Sequence, residues 1–97
     1  MPRTRLKKHV LITRHHAAAK MADPRFIMKA LTQALLEGDA EAFKEILAAH
    51  LEVTNKESFY KRAGISRRTL FRMLAPEGNP TLSNIARVVS AIADEAA

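Results

Sequence analysis

From position 23 onward the apolar residues recur every three to four positions, the period of helices with one buried face. Five such stretches stand out. In the first, Phe26, Ile27, Ala30, Leu31, Ala34 and Leu35 follow Asp23-Pro24, an N-cap with proline at the first helical position, and Glu37-Gly38 stops it. In the second, Ala42, Phe43, Ile46, Leu47 and His50 follow Asp39 as cap. His50, in the last turn, reads as a surface residue beside a helix C-terminus. The third is short. Thr54 with Glu57 fits a capping box, Asn55 with Ser58 is a competing register, and Phe59 with Tyr60 or Ala63 is the face to bury. The fourth follows a tight turn at Ala63-Gly64-Ile65, with Ser66 as cap and Leu70, Met73 and Leu74 on one face. A loop rich in proline, glycine and asparagine fills 75–80. Thr81 then caps a last helix with the stripe Leu82, Ile85, Val88, Val89 and Ile92. The predicted helices are 24–37, 40–51, 55–63, 66–74 and 81–94. No stretch alternates with period two, so the expected fold is all-α, a bundle of about five helices formed by residues 21–97.

Charge sets residues 1–20 apart as a basic N-terminal leader. They hold six of the 16 Lys and Arg and no acid. Leu6, Val10 and residues 17–19 would support a helix over about 5–20, and a partly ordered arm is the other reading. Met21-Ala22-Asp23-Pro24 looks like a protein start, which would make the leader an upstream extension. Residues 21–97 balance, ten basic against ten acidic, but not evenly: 56–72 hold six basic residues and one acid, while 21–55 come to −3 and 73–97 to −2. Two separate basic patches are the electrostatic footprint of nucleic-acid binding.

Other classes find less support. Val10-Leu11-Ile12 is too short for a signal-peptide core, and no apolar run approaches a membrane span, so a cytoplasmic or nucleoid-associated protein is expected. With no cysteine, and with the adjacent His15 and His16 on different helix faces, no metal site is expected. A Gly-rich phosphate loop, an HExxH motif and a nucleophile–base pair are all missing, which argues against an enzyme or a cofactor.

The second basic patch has a specific shape. Arg68 and Arg72 lie four apart and share a face, with Arg67 beside them in the first turn. Like charges at that spacing repel by about 0.2–0.5 kcal/mol, and cations near a helix N-terminus oppose the macrodipole. No acid lies within four residues N-terminal of any of the three, so a helix salt bridge does not explain them. A polyanion does. A helix after a glycine-containing turn, presenting its N-terminal polar residues, is how a helix-turn-helix enters the DNA major groove. Arg67, Arg68 and Arg72 are therefore candidate base-edge readers, and Ser66 and Thr69 candidate phosphate contacts. Phe71 is expected in the core or against a partner, since no second aromatic accompanies it to form a stacking platform.

Three strings carry a family resemblance: Ala34-Leu35-Leu36-Glu37-Gly38-Asp39, then Ala63-Gly64-Ile65-Ser66-Arg67 with Leu70-Phe71, and Leu74-Ala75-Pro76-Glu77-Gly78-Asn79-Pro80-Thr81. The last is the most specific. With these, residues 23–92 resemble the addiction-module antidote family of small λ-repressor-like (Cro-type) helix-turn-helix proteins. The resemblance implies a DNA-binding antitoxin that represses its own operon. Its partners would be double-stranded DNA, a toxin of the mRNA-interferase type, and a second copy of itself. It also adds Lys56, at a helix start, and Asn79, in a loop, as phosphate contacts, with plain solvent exposure as the other reading. A stand-alone phage or mobile-element regulator and a protein-interaction adaptor without DNA binding are the alternatives. Two positions depart from the family pattern. Tyr60 stands where a small residue usually lets two helices cross closely, so the crossing is wider or the ring escapes to the surface. Arg68 stands where many relatives carry an acid, which would change the DNA sequence read.

Overall fold

The computed structural model describes residues 19–97, so the expected leader lies almost entirely outside the described residues. Among the described residues every regular element is helical and none is a strand. Residues 19–22 are helical. Five helices follow: α1 (Pro24–Leu36), α2 (Ala40–Glu52), α3 (Lys56–Ala63), α4 (Arg67–Leu74) and α5 (Leu82–Ala96). No described helix is long and apolar enough to cross a membrane.

Side-chain caps set where the helices begin. The carboxylate of Asp23 accepts from Arg25 N at 3.0 Å, and that of Asp39 from Ala42 N at 3.0 Å. Ser66 and Thr81 accept from Thr69 N and Asn84 N, each at 3.1 Å. At α3 the cap is Asn55, which accepts from Ser58 N at 3.1 Å. Thr54 is not the cap: its hydroxyl turns back and donates at 3.0 Å to the His50 carbonyl at the end of α2, which also accepts from Val53 N–H at 3.2 Å. The capping box with Glu57 is thereby excluded and the competing register holds.

One core joins all five helices. α1 packs on both α2 and α5, α3 packs on α5, and α4 packs on α2. Ile27 and Leu31 of α1, Leu47 of α2, Phe59 of α3, Leu70 of α4 and Val88 and Ile92 of α5 are almost wholly buried. Each such side chain contributes about 1.5–3 kcal/mol through burial. Leu82 departs from its expected stripe and is 82% exposed. Ile85, three residues on in the same stripe, packs against the core, so the buried face begins there. Tyr60 is half-buried and rests against the core.

Two buried polar side chains tie distant segments together. Lys44 lies on the apolar side of α2, and its Nζ donates to the carbonyls of Ala75, Pro76 and Gly78 at 2.8, 3.3 and 3.1 Å. Glu41 stands 3.6 Å from the same ammonium. His50 is not the surface residue its position suggested. It is 1% exposed, and its Nδ1 donates to the Met21 carbonyl at 2.6 Å. A carbonyl can only accept, so Nδ1 carries the proton, and the buried Nε2 has no partner among the described residues.

Candidate nucleic-acid interface

The site is built on the turn between α3 and α4. Gly64 closes α3 in the left-handed conformation, φ 67°, which glycine adopts without the usual steric penalty. The N–H groups of Gly64 and Ile65 both donate to the Tyr60 carbonyl, at 2.9 and 3.3 Å. From α5, Arg87 Nη1 donates to the Gly64 carbonyl at 3.0 Å. Ile65, in the turn, is buried. The direction in which α4 leaves the turn is thus set by core packing and by a hydrogen bond from another helix.

α4 is strongly two-sided. Leu70 and Met73 are buried and Leu74 is half-buried, while Arg67, Arg68, Phe71 and Arg72 are exposed. Among the described residues no carboxylate forms an ion pair with Arg67, Arg68 or Arg72. Arg62, by contrast, is engaged, reaching Glu95 of α5 at 3.2 Å and Ser58 at 2.7 Å. Phe71 is 54% exposed, so it does not belong to the core. The periodicity that names Leu70, Met73 and Leu74 leaves position 71 about 100° around the helix from Leu70, off the buried face. Its ring carries the Arg67 guanidinium 5.2 Å from the centroid.

The first turn of α4 has defined hydroxyl chemistry. Ser66 Oγ accepts from Thr69 N and donates to Thr69 Oγ1 at 3.0 Å. One of the two hydroxyls donates to the other, so the pair keeps one O–H for an outside acceptor. Beyond α4, Ala75 is extended, as a residue before proline prefers. The loop then folds back so tightly that Gly78 N–H donates to the Ala75 carbonyl at 2.7 Å. A cleft of about 500 Å³ opens between α4, this loop and the start of α5, and Thr69, Arg72, Asn79 and Asn84 line it. The structure so gathers Thr69, Arg72 and Asn79, and places Arg67 and Arg68 on the outer face of the same helix. Lys56 is exposed at the first residue of α3 and does not line the cleft.

Lys44 escaped the sequence reading. Its ammonium holds the loop that carries Asn79, although it sits on another helix. A signal for it exists: position 44 lies three before Leu47 and seven before Leu51, on the buried side of α2, where a lysine needs acceptors. Compared with known protein families, with curated proteins and with solved structures, the chain matches none.

Proposed function

We propose that this protein is a sequence-specific double-stranded-DNA-binding repressor of the λ-repressor-like helix-turn-helix type. Here α3 and α4 form the motif and α4 reads the major groove. One observation carries the reading: three exposed arginines, with no carboxylate partner among the described residues, stand on a short helix whose apolar face is anchored in the core. A rigidly mounted basic face of this kind suits base edges, because the arginine fork matches the O6 and N7 acceptors of guanine. Arg67, Arg68 and Arg72 are the base readers. Thr69 and Ser66, whose hydroxyl pair keeps one O–H for an outside acceptor, flank them with Lys56 and Asn79 as backbone contacts, which position the protein without reading sequence.

The family resemblance extends the proposal. The protein acts as the antitoxin of a type II toxin–antitoxin module, binds as a homodimer, represses its own operon from the nucleoid, and has no catalytic activity. Electrophoretic shift with the DNA upstream of its own gene tests the core of this reading. A sequence-specific complex that survives excess random duplex is the expected result; no shift, or equal affinity for random DNA, overturns it. A toxin gene beside this one separates the antitoxin from a stand-alone regulator.

A further inference from the structure

We infer that Phe71 is a specificity-determining residue of this face: its ring takes the C5-methyl of a thymine in the major groove and holds Arg67 toward a neighbouring guanine. The inference rests on the DNA-binding reading above. Phe71 is an apolar ring left 54% exposed between cations. At 100° per residue it lies about 40° around α4 from Arg67 and about 60° from Arg68, between the two on the flank of the exposed arc. Leu70 and Met73, about 100° and 160° around the helix from it, are held in the core, so the ring's direction is fixed by the packing of the helix.

The surroundings of the ring narrow what it can meet. An apolar protein groove would have to desolvate Arg67, Arg68 and Arg72 together, and among the described residues no acid pairs with them. Single-stranded nucleic acid wants a row of aromatics, and among the described residues no second exposed Phe or Tyr stands beside this one. A major groove suits both features at once. Phosphates surround the arginines, and thymine alone among the four bases offers a methyl group there. The Arg67 guanidinium, 5.2 Å from the ring centroid, is already restricted before any DNA arrives. Less side-chain freedom is then left to lose on binding.

The test uses the full chain and a duplex that it selects from a random pool. Each thymine of that duplex is replaced in turn by deoxyuridine, which lacks only the C5-methyl. The wild-type protein should lose about fourfold in affinity at one position, the worth of one buried methyl group. Phe71→Ala should bind thymine and uracil equally at that position and show less selectivity for the guanine beside it. Phe71→Leu should keep the thymine preference and lose the guanine selectivity, because it retains an apolar contact without a ring. An unchanged thermal melt confirms that both variants fold. No loss on deoxyuridine at any position, or a thymine preference that persists in Phe71→Ala, overturns the role of Phe71 and leaves DNA binding standing. Failure of the wild-type chain to select any duplex removes both.

Discussion

Lys44 shows how much one side chain contributes. Lys44 is 6% exposed, and its ammonium donates to three carbonyls of the loop after α4. Lys44→Met keeps the apolar stem and deletes the donor. The Pro76 and Gly78 carbonyls then lose this donor, while the Ala75 carbonyl keeps the Gly78 N–H; hydrogen bonds to a charged group are worth about 1.5–3 kcal/mol. A fall of that size in urea-unfolding stability, with an unchanged slope against urea, is expected. The outward arginines behave in the opposite way. Arg68→Ala should leave the melt nearly unchanged, since Arg68 is exposed and has no ion-pair partner among the described residues. On a selected duplex it should cost about 1–3 kcal/mol and relax one base preference. Equal losses on selected and random DNA would reduce Arg68 to a phosphate contact.

Single elements depend on their ends. α3 has eight residues, too few for a helix to persist alone, so its cap matters. Asn55→Ala should cost about 1 kcal/mol. Thr54→Ala should cost less, because it removes one hydroxyl bond to the His50 carbonyl and no helix start. A larger loss at Thr54 than at Asn55 would contradict the observed register. After α4 the sensitive position is Gly78. A Cβ there would run into the Arg72 carbonyl oxygen and come within 2.7 Å of that of Met73. Gly78→Ala therefore forces the loop off the end of α4. It should cost at least about 1–3 kcal/mol, the usual range for overpacking, measured by thermal melting.

Across the whole molecule, distant segments are tied at a few points. Met21 is held by His50, α1 meets the C-terminal end through Arg25 Nε donating to the Ala96 carbonyl at 3.3 Å, and α3 meets α5 through Arg62 and Glu95. These ties lie within residues 21–97, so a chain lacking residues 1–18 keeps each of them. That deletion removes five of the basic residues and no acid. If the leader lies along DNA, each phosphate it neutralises adds about −0.9 to the slope of log K against log salt, and the truncated chain should show a flatter slope with the same preferred sequence. An unchanged slope would exclude the arm and leave a docking segment or a dispensable extension.

What the sequence determined by itself was local. Spacing of Ile27, Leu31 and Ala34, or of Leu70 and Met73, marked the buried faces, and Asp23, Asp39, Ser66 and Thr81 marked four helix starts. These follow from interactions within one or two turns, which a linear pattern records. The candidate arginines were legible for the same reason, as a basic face opposite an apolar one. Tertiary structure decided what depends on neighbours far along the chain. His50 became a buried residue whose ring meets the Met21 carbonyl, Leu82 stayed in solvent while Ile85 of the same stripe reached the core, and Phe71 stayed outside because α4 turns Leu70 and Met73 inward. Lys44 acquired its role from carbonyls more than 30 residues away. A periodic pattern specifies which side of a helix is apolar; only the packed chain specifies what stands opposite that side.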